Sequence, residues 1–236
     1  KNIILIMSIK HTILPNTELT YVTNTYNTIA HEFSHTRFSV WSNVAKFINS
    51  FPTKAICLEV GCGNGKNMLL RDDLTFHGCD VAEEFVKICK NKQLHVITAN
   101  NLSLPYQNNS YDYVLSIAVI HHLASYQHRK QAIKELIRVT KPSGQIFIEV
   151  WACEQGKEGT NSFETQDVLV PFRNKHTREI LGNRFYHVFI KDELQTIIQD
   201  INEDINNELT NSLCTENIQI IEEFYEKGNW GVIIQK

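Results

Sequence analysis

Residues 55–67, AICLEVGCGNGKN, run a continuous apolar stretch into three glycines at alternate positions, Gly61, Gly63 and Gly65. A strand buried on both faces reads as an unbroken apolar run, and such strands belong to parallel sheets covered by helices. Glycine accepts positive φ and lets a ligand come close to the backbone. Together they call for an α/β layer with a ligand-binding turn at the carboxyl end of a strand.

The rest of the chain repeats the pattern. Further strands are expected at 74–80, 94–99, 111–119 and 146–151. Helices are expected at 17–33, 37–50, 82–91, 128–140 and 191–201, and a short one directly after the glycine turn (GNGKNMLLRD). The 37–50 helix would bury Phe38 along with Trp41, Val44, Phe47 and Ile48. Residues 218–236 read as an antiparallel hairpin broken at KGN. The expectation is an α/β, Rossmann-like sheet of seven mostly parallel strands, helices on both faces, and the last strand antiparallel. Residues 1–20 form an N-terminal extension, and 21–236 a single domain. That domain has a loop insertion at 152–186 and an exposed Asn-rich loop at 201–215.

Spacing narrows the ligand. A dinucleotide turn has a third glycine where Lys66 stands, and a phosphate-binding P-loop has Ser or Thr where Asn67 stands. What remains is E-x-G-x-G-x-G, beginning at Glu59. That suits S-adenosylmethionine, which has an amino-acid end, a ribose and an adenine but no phosphate. Asp80 ends the second strand and is placed to accept from ribose hydroxyls. Asn100, Asn101 and Leu102 follow the third strand and would bracket the adenine. His121 and His122 follow the fourth, where the reacting methyl would lie. Being adjacent, they point differently, so one should face the site and the other pack. No zinc spacing is present, and no metal is expected.

The EVGCGNG turn, the GCD, LPYxxxSYDYVLSIAVIHHL and ELIRVTKPSGQIFI resemble class I S-adenosylmethionine-dependent methyltransferases over residues 55–150. YNTIAHEFSHTRFSVW (26–41), SIAVIHHL (116–123), EVWACEQ (149–155), QDVLVPF (166–172), NRFYHVF (183–189) and GNW (228–230) widen the likeness. With them the chain is similar to the eukaryotic tRNA wobble-uridine carboxymethyl methyltransferases, except in the first 20 residues and 201–215. The resemblance implies methylation of the carboxylate of 5-carboxymethyluridine to its methyl ester. It implies that Arg37 is the family's lid arginine, catalytic with His121 and His122. Tyr26, Glu59 and Ile117 would join the glycines at the cofactor. Arg184, His187 and Asn229 match positions near the substrate. Trp41, Trp151, Tyr186 and Trp230 would offer stacking faces to a flipped base, although each taken singly also reads as a core aromatic. Arg173, Lys175 and Arg178 would grip phosphates of the tRNA anticodon stem. The family commonly has an acid where Asn100 stands. It also works with a small zinc-binding activator subunit that adds a strand to the sheet edge.

A formal net charge of −3 argues against a nucleic-acid partner, but its distribution allows a basic face. Residues 192–226 hold 10 acids and no Lys or Arg, leaving 21 basic against 16 acidic groups in 1–191. Arg173 to Arg184 carries four basic residues and one acid, the pattern of a basic face or of a solvated loop. The six cysteines form no CxxC pair, and no run of 18 apolar residues exists. A reducing cytoplasmic or nuclear setting, with no disulfides and no membrane partner, is expected. Alternatives left open are a small-molecule carboxyl or quinone-precursor methyltransferase and a non-catalytic RNA-binding subunit. An NAD-dependent oxidoreductase is disfavoured by Lys66.

Overall fold

The computed structural model describes residues 7–8, 16–155, 163–208 and 217–236. In chain order the elements are β1 (Met7–Ser8), a π-helical turn (Leu19–Asn24) running into α1 (Thr25–Ser34), α2 (Ser42–Asn49), β2 (Ile56–Val60), β3 (Thr75–Asp80), α3 (Glu83–Asn91), β4 (His95–Thr98), β5 (Tyr111–Ile117), α4 (Tyr126–Val139), β6 (Thr140–Trp151), β7 (Asp167–Arg173), β8 (Ile180–His187), α5 (Glu193–Glu208), β9 (Gln219–Glu226) and β10 (Asn229–Gln235). Seven strands form one sheet in the order β4-β3-β2-β5-β6-β10-β9. The first five in that order pair in parallel, and β10 is antiparallel to both its neighbours. The Rossmann-like sheet with an antiparallel last strand is as expected.

Strand order reverses between β2 and β5, the switch point at which open α/β sheets bind ligands outside their carboxyl ends. On one face of the sheet, α4 and α5 bury Ile133, Leu136, Ile197 and Ile201 against Ile146, Ile148 and Val150. On the other, Phe47 of α2 meets Phe147, which also packs on Phe224. Ser125 caps α4 by accepting from the His128 N–H.

Several expectations needed correction. No helix follows the glycine turn; residues 61–74 are turns and bends. The three glycines all have positive φ, and Arg71 then donates to the Ile48 and Phe51 carbonyls, holding the chain in an open path. The second helix starts at Ser42 rather than 37, and Phe38 is 77% exposed. The first is π-helical at its start. Helix α5 continues to Glu208, through half of the Asn-rich stretch; residues 209–216 lie outside the described residues.

The expected loop at 152–186 is largely a hairpin. Strands β7 and β8 pair antiparallel, and β1 adds to β7, making a separate three-stranded sheet. It lies on α1: the Thr25 hydroxyl donates to the Asn183 carbonyl at 3.0 Å, and Gly182 leaves room for Thr25. His187 ties the hairpin to α5. Its Nδ1–H donates to Asp167 and its Nε2–H to Glu193, each at 2.7 Å. Burial works against the imidazolium, but the two carboxylate hydrogen bonds outweigh it and raise its pKa. His187 thus braces β7 against α5, and it lies outside the lining of the cleft at the glycine turn.

A raised folded-state pKa means the folded chain holds the proton more tightly than the unfolded one. This contribution is fully present below the unfolded value of about 6.5 and lost as pH rises through the folded one. Urea unfolding should show His187→Gln costing on the order of 3 kcal/mol at low pH, less at alkaline pH. An equal cost at both would contradict a charged His187.

Candidate active site

The glycine turn is built on Asp80. Gly61 (φ +73°) and Cys62 donate their N–H groups to the Cys79 carbonyl at 2.8 and 3.0 Å. The Asp80 carboxylate accepts from Gly63 N–H and Ala82 N–H, both at 2.9 Å, bridging the turn to the start of α3. A side chain at Gly61 would collide with Val119, whereas one at Gly63 would enter open space. That space is a cleft of about 760 Å³, large enough for a nucleotide-sized ligand. Gly65 does not line it; this glycine keeps the turn clear of Leu94.

Glu59 faces the cleft from the end of β2 and is 2% exposed. Its Oε1 accepts from the Asn67 amide at 2.6 Å, while Oε2 has no partner among the described residues. Burial pushes its pKa up to about 7. An unpartnered buried carboxylate oxygen suits a cationic ligand group. Burial likewise pushes Asp80 up to about 6, yet its carboxylate, with three backbone N–H groups on it, keeps acceptor capacity for a ligand hydroxyl. Asn100, Asn101 and Ile117 line the cleft. Leu102 does not; it packs on the sheet core, and its N–H is held by Asn100 Oδ1 at 2.9 Å. These donors and acceptors fit the amino-acid end, ribose and adenine of S-adenosylmethionine.

Above the turn, Phe33, Arg37 and Trp41 line the mouth of the cleft. Arg37 is exposed, with its guanidinium 4.7 Å from the Phe33 ring centre. Tyr26 and His122 form the inner wall. His122 Nδ1–H donates to the Phe185 carbonyl at 2.6 Å, which fixes Nε2 as acceptor for the Tyr26 hydroxyl at 2.8 Å. Behind them, Arg184 Nη1–H donates to the Tyr186 oxygen at 2.8 Å, and the two tyrosine hydroxyls are 3.4 Å apart. With Tyr186 donating to Tyr26, one unidirectional chain runs from Arg184 to His122. Arg184 is 5% exposed, forms no ion pair among the described residues, and its Nε–H has no partner there.

Burial and the Arg184 charge push His122 down to about 3, so it is neutral. His121 is lowered well below the usual range by burial and by His122. It accepts the Trp151 N–H through Nδ1 at 3.0 Å and lies outside the cleft lining. So one histidine faces the site and the other packs, and both are neutral.

Several expected substrate contacts are elsewhere. Trp151 stacks on Tyr186 at 4.2 Å and 16°, and His121 and His122 cover the rest of that ring, leaving no face of Tyr186 for a base. Trp230 donates to Glu154 and packs on Tyr225, and Asn229 closes the β9–β10 turn through the Glu226 carbonyl. Of the four stacking candidates only Trp41 lines the cleft. Arg173, Lys175 and Arg178 gather at the β7–β8 hairpin end, with Lys175 and Arg178 exposed. Residues missed from sequence include Phe33, Asn64, Lys66 and Asn67. Three of these stand inside or beside the glycine turn, where their polar character in a buried turn was the available signal. Glu18 and Leu19, assigned to the extension, also line the cleft.

A family model described as a methyltransferase domain matches residues 58–148. A tRNA (carboxymethyluridine(34)-5-O)-methyltransferase of Arabidopsis thaliana is 45% identical over 148 residues, covering 63% of this chain and 36% of that protein. The chain also spans only 41% and 44% of similarly named Xenopus tropicalis and Mus musculus proteins. The Schizosaccharomyces pombe protein named tRNA (carboxymethyluridine(34)-5-O)-methyltransferase is 33% identical, covering 92% of this chain and 96% of its own length. Among solved structures, a putative methyltransferase in complex with the Haloferax volcanii Trm112 methyltransferase activator shares the fold. Its TM-score is 0.62 at 14% identity, covering 91% of this chain and 96% of that one. By its near end-to-end match to the fission-yeast protein, the chain belongs to the family of tRNA (carboxymethyluridine(34)-5-O)-methyltransferases.

Proposed function

We propose that this chain methylates the carboxylate of 5-carboxymethyluridine at the tRNA wobble position, forming the methyl ester. The observation that carries the chemistry is Arg184, a buried guanidinium with an unpartnered Nε–H behind the wall of the cleft. A carboxylate acceptor in the cleft supplies, across that wall, the counter-charge this cation lacks. The methyl donor is S-adenosylmethionine, which brings a sulfonium-activated methyl group when bound. Glu59 holds the donor's ammonium, Asp80 its ribose hydroxyls, and Asn100 and Asn101 its adenine; Asn100 serves by accepting and donating where the family commonly has an acid.

The acceptor carboxylate is ionised at neutral pH and needs no general base. That agrees with two neutral histidines whose hydrogen bonds hold the wall together. What the protein must supply is alignment and exclusion of water. His122, Tyr26 and Tyr186 hold Arg184 in place, and Arg37 closes over the carboxylate from the mouth. Trp41 offers the stacking face for the extruded base, and Arg173, Lys175 and Arg178 meet anticodon-stem phosphates. This hairpin end is what favours tRNA over a small carboxylic acid.

A small zinc-binding activator docks by adding a strand to β4. Strand β4 is an edge of the sheet with Ile97 exposed and no acid of its own, while the other edge, β9, sets Glu222, Glu223 and Glu226 beside its exposed Ile221 and Tyr225. The Haloferax volcanii complex supports an activator as partner. The setting is cytoplasmic or nuclear, where buried Cys57, Cys62, Cys79 and Cys89 remain thiols.

Transfer of labelled methyl to tRNA carrying carboxymethyluridine, with and without the activator, tests the reading. Methylation of small carboxylic acids but not of tRNA would overturn it. Arg184→Gln should lower kcat/KM about 100-fold or more. Cofactor affinity should follow Glu59. Ionised Glu59 pairs with the ammonium, so binding should weaken as pH falls through about 7. Calorimetry across this range should show that Glu59→Gln removes that dependence; an unchanged profile would reject the pairing.

A further inference from the structure

Residues 34–41 cross the mouth of the cleft between α1 and α2 and carry Arg37. Most of the segment is exposed, and locally the Thr36 and Arg37 N–H groups donate to the Phe33 and Ser34 carbonyls. Further short-range bonds run from His35 N–H to His31, from the Thr36 hydroxyl to Phe33 and from Arg37 to Thr36, and Val40 and Trp41 pack on the core beside α2. The segment's hydrogen bonds to a distant part of the chain lead to the glycine turn. The Asn64 amide donates to the Arg37 carbonyl at 3.1 Å and, more weakly, to the Ser34 carbonyl at 3.4 Å. The Lys66 ammonium donates to the Ser39 carbonyl at 2.7 Å and lies 5.6 Å from the centre of the Trp41 ring.

Both residues also belong to the cofactor side. Asn64 and Lys66 line the cleft with Gly61 and Gly63. Asn64 Oδ1 accepts from the Lys66 N–H at 3.3 Å, and the Asn64 carbonyl accepts from Lys92 at 2.7 Å. Asn64 is 9% exposed. The same short turn therefore presents its backbone to the cofactor and its side chains to the segment bearing Arg37.

We propose that Asn64 and Lys66 are positioning residues that latch the 34–41 segment to the cofactor turn, so that cofactor binding and placement of Arg37 favour one another. Coupling of this kind is reciprocal. A cofactor that orders the turn steadies the two donors, and a segment seated on those donors steadies the turn. Donor loading then strengthens the seating of Arg37 over the acceptor. The inference rests on the proposed function only for what Arg37 holds; the latch itself needs only the cofactor.

Three variants separate the contributions. Asn64→Asp keeps the acceptor for Lys66 N–H and loses the donors to the segment. Asn64→Ala loses both, and Lys66→Met keeps the stem over Trp41 without the ammonium. Hydrogen exchange is measured with and without S-adenosylhomocysteine and no tRNA. In the wild type, the ligand should slow exchange in both 61–67 and 34–41, the latter by roughly threefold to tenfold, the scale of one or two neutral hydrogen bonds. In Asn64→Asp and Lys66→Met the turn should stay protected while protection of 34–41 is lost. Retained protection of 34–41 in both variants overturns the latch and leaves the cofactor reading standing. Failure of the wild type to bind the ligand overturns both.

A double-mutant cycle on kcat/KM with Arg37→Ala tests the route of action. If Asn64 acts through Arg37, Asn64→Asp should add less than about twofold to the loss from Arg37→Ala alone. Full additivity of the two losses overturns the proposal, as does a fall in melting temperature that accounts for the loss in Asn64→Asp.

Discussion

The site depends on one carboxylate. Asp80 takes the Gly63 N–H on one oxygen and the Ala82 N–H on the other, joining two loops at the ends of adjacent strands. Without it, the turn from Gly61 to Gly65 would have to hold three positive-φ residues in five by packing alone. Such conformations persist when the surroundings over-determine them. Here Cys79 contributes a carbonyl to two N–H groups, Val119 blocks any side chain at Gly61, and Asp80 closes the loop. The sheet order places this turn at the β2/β5 reversal, so the same restraint that shapes the turn opens the cleft.

Strands and the cofactor half of the site were legible in the amino-acid sequence because they rest on local rules. The run AICLEV could only be a buried strand, and Asp80 was located by its distance from Gly61. The helix expected after the turn failed because the pattern after Lys66 is satisfied by tertiary bonds: Asn67 to Glu59, and Arg71 to the carbonyls of Ile48 and Phe51. The hairpin within 152–186 was hidden by Pro171 and Gly182, residues that demote a strand when read alone. In the fold, Pro171 lies in β7 opposite Asn183 and Gly182 makes room for Thr25, a contact across 157 positions that no local pattern reports.

The substrate half was named from resemblance, and tertiary contacts redistributed its members. Arg184 and Tyr186 lie close behind the cleft wall, His187 is bound between two carboxylates, and Trp230 and Asn229 serve the terminal hairpin. Sequence could not distinguish these roles. Arg184 and His187 are three positions apart on one strand, so they point to opposite faces. One finds an aromatic cluster and the other finds Asp167 and Glu193. Their roles are settled by those partners and not by residue type.

The distribution of charge favours a reaction without a proton to move. Burial and a nearby guanidinium keep His122 neutral, with one nitrogen donating to Phe185 and the other accepting from Tyr26. An imidazole so held cannot take a proton without reversing its bond to Tyr26 and so the chain of donors behind it. A mechanism that required deprotonation would place a responsive base at this wall, and the wall is built instead to keep a chain of donors aligned from Arg184 inward. Such a chain is of use to an acceptor that arrives already anionic. It orients the guanidinium while leaving the nucleophilic charge on the substrate, and it accounts for why the buried cation has aromatic neighbours: Phe172 and Tyr186 lie 5.4 and 5.3 Å from its guanidinium carbon. Aromatic faces stabilise a cation without neutralising it, so the attraction for a carboxylate is retained.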